Sequence, residues 1–128
     1  MRDSRILAVD HVHLEVAPGL TDRLIWFYSE ISGLELRPRR EGDAFTLRFR
    51  SGQLELRMRE VEMPAIDGVE VRVTILVDSL HETRELLEEA RMAFEQVSAT
   101  VQTDRRLSLH DPAGHRVELK QYWPFGPL

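Results

Sequence analysis

The chain has 128 residues, of which 42% are hydrophobic and 30% charged, and a net charge of −5. This fits one domain with a real core, and excludes a disordered chain or two domains of ordinary size. No apolar run approaches the roughly 20 residues of a membrane span, the lack of cysteine excludes disulfides and thiol nucleophiles, and the acidic balance argues against nucleic acid as a partner.

In chain order, Ile6 to Val16 reads as a strand with Ala8, Asp10, Val12, Leu14 and Val16 on one face and Val9, His11, His13 and Glu15 on the other. Pro18-Gly19 ends it. A helix is predicted from about Thr21 to Ser32, with Leu24, Phe27, Tyr28 and Ile31 at helical spacing, Thr21 as cap and Gly33 as stop. Strands follow at Leu34–Arg37, Ala44–Arg50 and Gln53–Glu60, the last two joined at Ser51-Gly52. Val61 to Gly68 is a linker. The order then repeats: a strand at Val69 to Val77, and a helix opened by Ser79 and Glu82 as a capping box. Leu80, Thr83, Leu86, Leu87, Ala90 and Phe94 form that helix's buried stripe. Strands follow near Glu95–Val101, Arg105–His110 and Arg116–Tyr122. The tail carries Trp123 and Phe125, which would dock on the body or on a partner.

Each half therefore reads strand, helix, strand, strand, strand. His11–Val16 lies over Arg72–Val77 at an offset of 61, and Leu54–Arg57 over Val117–Lys120 at an offset of 63. A period near half the chain implies two copies of one βαβββ unit, residues 5–60 and 69–123. Half a chain is too small to bury a good core alone, so the copies should pack together or pair across a dimer.

The alternation leaves one polar face per sheet. Val12, Leu14, Val16, Val71, Val73, Ile75, Val77, Leu107, Leu109, Val117 and Leu119 should lie under helices. His11, His13, Glu15, Arg48, Arg50, Glu55, Arg57, Arg72, Thr74, Arg106, Ser108, His110, Glu118 and Lys120 face the other way. A solvated face accounts for the arginines and glutamates. Two histidines two apart on one strand, with carboxylates on facing strands, also suit a divalent metal. His81 and His115 read as surface residues, the first on a helix and the second at the Asp111-Pro112-Ala113-Gly114 turn. Trp26 reads as a packing or dimer contact, and Arg37, Arg39 and Arg40 as a solvated loop. All but one of the 17 basic residues are arginine, with Lys120 the exception; coding bias explains this, as would a site needing planar bidentate donors.

Three segments together resemble the vicinal oxygen chelate superfamily, which includes glyoxalase I, extradiol dioxygenases, fosfomycin-resistance enzymes and bleomycin-resistance proteins. They are Val9-Asp10-His11-Val12-His13-Leu14-Glu15-Val16, Trp26-Phe27-Tyr28 through Gly33-Leu34, and Asp111-Pro112-Ala113-Gly114-His115-Arg116-Val117-Glu118-Leu119. The resemblance implies an α+β fold of paired βαβββ modules whose curved mixed sheets enclose a cleft for a small molecule, often in a homodimer. It places metal ligands at His11, Glu55 and Glu118; the remaining position, normally histidine, is Arg72. A guanidinium has no lone pair for a metal. Three readings follow. Arg72 replaces the ion by forking onto Glu55 or Glu118, and the cleft binds a small ligand without metal; or iron, manganese, zinc or nickel is kept with His13 as a substitute ligand beside His11 and Glu118; or Arg72 binds an anionic substrate while His11 acts as acid or base. The first is favoured, because one ligand swap normally weakens a site badly; it expects no cofactor. Arg72, His13 and His110 would then line the cleft. With a metal the protein would be a lyase, isomerase or dioxygenase; the alternative is a non-catalytic dimer that sequesters a small molecule. With no secretory segment at its start, the chain is expected in the cytoplasm, without nucleic-acid or membrane partners.

Overall fold

A computed structural model describes residues 11–64, 72–98 and 105–121. The first half contains β1 (His11–Val16), α1 (Thr21–Ile25), β2 (Glu35–Leu36), β3 (Leu47–Ser51) and β4 (Leu54–Glu60). The second contains β5 (Arg72–Val77), α2 (Leu80–Glu89), β6 (Glu95–Ser98), β7 (Arg105–His110) and β8 (Arg116–Gln121). The predicted order strand, helix, strand, strand, strand occurs in both. The outer parts of three expected strands (6–10, 69–71, 99–101), Tyr122 and the aromatic tail lie outside the described residues. No helix among the described residues is long and apolar enough to cross a membrane.

Each half makes one four-stranded mixed sheet, in the orders β1-β4-β3-β2 and β5-β8-β7-β6. The first strand of each half pairs parallel to the last, and the other neighbours pair antiparallel. A parallel pair needs a long crossover, which the helix and two strands between them supply. The period-2 pattern decides which face is buried. Leu14, Val16, Leu47, Phe49, Leu56 and Met58 are buried in the first sheet, and Ile75, Val77, Leu107, Leu109, Val117 and Leu119 in the second. All belong to one hydrophobic cluster that spans both halves.

The first helix departs from its expected form. It is α-helical only over Thr21–Ile25 and continues as a wider π-helical turn over Trp26–Ile31. The Ser32 amide donates to the Phe27 carbonyl at 3.0 Å, five residues back. The expected cap is not Thr21: Leu20 occupies the cap position, and the Thr21 hydroxyl donates to Glu60 at 3.3 Å. The extra residue per turn keeps Phe27, Tyr28 and Ile31 all buried, and Trp26 packs half-buried against them. Gly33 ends the segment at φ 76°, a conformation open to glycine.

The second helix starts as expected, with the Ser79 hydroxyl accepting from the Glu82 amide at 3.2 Å. Its contact line runs through Thr83 and Leu87. Leu86 and Ala90 of the predicted stripe are exposed instead, because they lie at the margin of that line.

Polar bonds also join the halves. The buried Tyr28 hydroxyl donates to Asp111, whose other oxygen accepts the Ala113 and His115 amides at 2.9 Å each. His115, expected in solvent, is buried: its Nε2 lies 2.7 Å from the Glu15 carbonyl oxygen on β1. The reason is that the Asp111 turn folds back onto the first half rather than away from the body. His81 is on the surface as expected, 3.1 Å from Glu85 one helical turn on.

Candidate functional site

The polar face of the first sheet is built by β1, β3 and β4. His11 sits directly across from Glu55, and His13 from Arg57. On the other side of β4, Arg50 faces Glu55 and Arg48 faces Arg57. Two arginines opposite one another repel, and each is given its own carboxylate: Arg57 Nε bonds Glu55 at 2.8 Å, and an Arg48 amino group bonds Asp43 at 2.9 Å. The Asp43 side chain is only 3% exposed; the Phe45 amide first, and then Arg48, hold its carboxyl below the usual carboxylate range. Between these pairs lies the Phe45 ring. The His13 ring meets it edge-on at 5.1 Å and the His11 ring at 6.3 Å. The Arg48 and Arg57 guanidiniums lie 5.8 and 5.6 Å from its centroid, close enough for cation–π attraction.

The second sheet centres on one carboxylate. Glu118 on β8 is buried, with Thr74 directly across on β5 and Ser108 on β7. Two guanidiniums reach it diagonally: Arg72 is ion-paired with one oxygen at 3.1 Å and Arg106 donates to the other at 3.2 Å. Arg72 in turn faces Arg116, and Arg106 faces Lys120. His110 is exposed on the same face, across from Arg116. Arg72 is the accessible member of the carboxylate pair, with its side chain 42% exposed against 6% for Glu118.

The two modules are not in the same register. Glu55 sits level with His11, whereas Glu118, its match in the repeat, sits level with Thr74, two residues beyond Arg72. The unequal repeat offsets, 61 and 63, are the trace of this displacement in the sequence.

Comparison with solved structures finds the same architecture over almost the whole chain. A glyoxalase-family protein from Bacillus anthracis superposes with a TM-score of 0.75 at 21% identity, covering 96% of this chain and 100% of that one. TnmS3, an antibiotic-binding protein from Streptomyces sp. CB03234, gives 0.69 at 18% identity, covering 94% and 99%. The fosfomycin-resistance protein FosX from Mesorhizobium loti gives 0.69 at 11% identity, covering 94% and 96%. The fold is the glyoxalase-like one of paired βαβββ modules. No protein-family model and no curated protein matches the sequence.

Within this glyoxalase-like fold, the donors do not fit a divalent ion. One oxygen of Glu118 accepts from Arg106 and the other is ion-paired with Arg72, and Glu55 accepts from Arg57. Among the described residues no group of three or more His, Asp or Glu side chains comes together that could hold a metal. His11 and Glu55 are brought side by side, His13 sits over Phe45, and Glu118 belongs to the other sheet's arginine pair. Sequence reasoning placed Arg106 and Arg57 on the right face but gave them no role. It missed Asp43 and Phe45, which precede β3; the Asp43-to-Arg48 spacing carries no periodic signal.

A cavity of about 250 Å³ lies between the modules, lined on one side by Val12, Phe49, Leu54 and Glu55 and on the other by Val73 and Thr74, among others. A second, of about 320 Å³, lies beside α2 and is bordered by Glu30, Asp78 and Glu82.

Proposed function

We propose that this protein binds a small molecule without a metal, with Arg72 standing where the ion's charge would be. The observation that carries the reading is the buried Glu118 carboxylate held by Arg72 and Arg106, one oxygen each. A guanidinium satisfies a carboxylate through fixed, charge-assisted hydrogen bonds and leaves no donor lone pair for a metal. The antibiotic-binding protein of the same fold supports a sequestering role, and the working form proposed is a cytoplasmic homodimer, each copy holding its ligand against Arg72, His13 and His110.

A second reading is a metal-dependent lyase, isomerase or dioxygenase that uses His11, Glu55 and Glu118. The direct pairing of His11 with Glu55 favours it. The two readings separate on metal content. Incubated with iron, manganese, zinc and nickel and then desalted, the protein should hold far less than one equivalent by elemental mass spectrometry. Near one equivalent would overturn the metal-free reading. Arg72→His removes the guanidinium and adds an imidazole donor; it should gain zinc or nickel binding only if Glu118 turns from Arg106 toward the ion.

A further inference from the structure

The cavity of about 320 Å³ beside α2 is separate from the polar faces of the sheets. The end of the first helical segment walls one side, through Glu30 and Ser32. The end of β5 and the start of α2 wall the other, through Leu76, Asp78, Glu82 and Leu86. The cavity stands at the opposite end of β5 from Arg72 and shares no residue with the Glu118 cluster. Its volume lies within the roughly 300–1,000 Å³ usual for ligand pockets.

Two independent observations point to a ligand there. One is a buried hydroxyl with nothing to bond. Ser32 lines the cavity and is only 6% exposed, so it belongs to the floor rather than the rim. A serine in a helix turns to solvent or bonds the carbonyl four residues back, and Ser32 does neither. The Tyr28 carbonyl accepts the Leu34 amide at 2.8 Å instead, and the Ser32 hydroxyl has no hydrogen-bond partner among the described residues. Buried polar groups are nearly always bonded.

The other is charge. Glu30, Asp78 and Glu82 border the cavity, and none pairs with a cation among the described residues. Asp78 and Glu82 suit the positive N-terminal end of α2. Glu30 gains nothing of the kind: it lies in the last turn of its own helical segment, where a negative charge opposes the helix dipole. Three leading amides of α2 are already bonded, Leu80 to Gln121, Glu82 to the Ser79 hydroxyl and Thr83 to the Ser79 carbonyl, and so offer an anion little. The three carboxylates do not come together closely enough to hold one metal ion. An extended cation with two charged ends suits them better than a compact one. The lining also holds Leu76 and Leu86, both exposed apolar side chains, which suit a short methylene chain.

We infer that this cavity is a second binding site, for a small aliphatic diamine, with its ammonium groups on the carboxylates and the Ser32 hydroxyl and its methylene chain along Leu76 and Leu86. An ammonium carries three donors and no acceptor, which matches a lining of carboxylates and an unpartnered hydroxyl. The site depends on neither the metal-free nor the metal-dependent reading.

The test is calorimetric titration of the full-length protein, at low ionic strength, with 1,5-diaminopentane, 1-aminopentane and pentan-1-ol, which share a five-carbon chain. The diamine should bind about tenfold or more tightly than the monoamine, and the alcohol more weakly still. Ser32→Ala removes an oxygen without changing the charge. It should weaken diamine binding about fivefold or more and leave the thermal midpoint undiminished, since no bond is lost. Glu30→Gln and Glu82→Gln should each weaken binding, and Leu86→Lys, which puts a cation on the wall, should abolish it. Glu41→Gln, at an exposed carboxylate outside the cavity, should leave it unchanged and so separates the site from the general attraction of an acidic protein. Equal binding of diamine and monoamine, equal losses in Glu30→Gln and Glu41→Gln, wild-type affinity in Ser32→Ala, or no binding at all would overturn the inference.

Discussion

Tyr28 shows how much one buried hydroxyl can carry. Its ring packs against Phe27 and Phe49, and its hydroxyl reaches across the module boundary to Asp111. Tyr28→Phe keeps the ring and leaves a carboxylate oxygen buried without that donor. Hydrogen bonds to charged groups contribute about 1.5–3 kcal/mol, so a loss of about 2 kcal/mol is expected in urea unfolding. Burial, and then the Asp111 charge, raise the phenol well above its ordinary 10.0. The folded chain therefore keeps a proton that the unfolded chain begins to release near pH 10. Stability from this group is complete below that pH and declines as pH rises beyond it, by up to about 1.4 kcal/mol per pH unit. Wild type should lose stability more steeply than Tyr28→Phe above pH 10; parallel slopes would refute the coupling. The aromatic pair was legible as core from its spacing, but the bond to Asp111 was not, since nothing in the local pattern joins residues 83 apart.

At the scale of elements, strands were easier to read than their ends. Alternation assigned the faces of β1, β4, β5, β7 and β8, because a one-residue slip would turn every apolar side chain outward. The first helix was harder. Its apolar spacing is shared by α- and π-helical windings, and only tertiary packing decides between them. Turn chemistry was legible at Gly52, which joins β3 to β4 at φ 59° with open space around it. Gly52→Ala therefore meets no clash, and its cost is that of the left-handed backbone alone. A loss of about 1 kcal/mol is expected, read as a lower thermal midpoint; an unchanged midpoint would show that the hairpin relaxes into another turn.

For the whole molecule, the paired-module architecture was evident because the repeat, the alternation and the motif segments agreed. The site was only half legible. The position of Arg72 was evident, and Glu118 was one of the two partners expected for it; that Arg106 shares the same carboxylate depends on strand neighbours that no linear spacing reveals. The shared cluster, in which Leu14 and Leu24 of one half pack together with Ile75 and Leu87 of the other, makes each half incomplete. Residues 1–64 expressed alone should show no cooperative thermal transition, since a unit that small buries too little surface. A sharp transition would mean that the first module is an autonomous folding unit.

The two-residue displacement between the modules makes the halves non-interchangeable parts. A pleated strand returns to the same face every second residue, so a slip of two moves a charged group one seat along without disturbing the core beneath it. In one half the glutamate is seated beside a histidine; in the other, between two arginines. A chain built from two copies of the first half would keep the apolar pattern and lose the carboxylate shared by two arginines. One built from two copies of the second would lose the histidine level with a glutamate on neighbouring strands. The pseudo-symmetry of the fold is thus broken on the polar faces of the sheets and kept on their apolar faces.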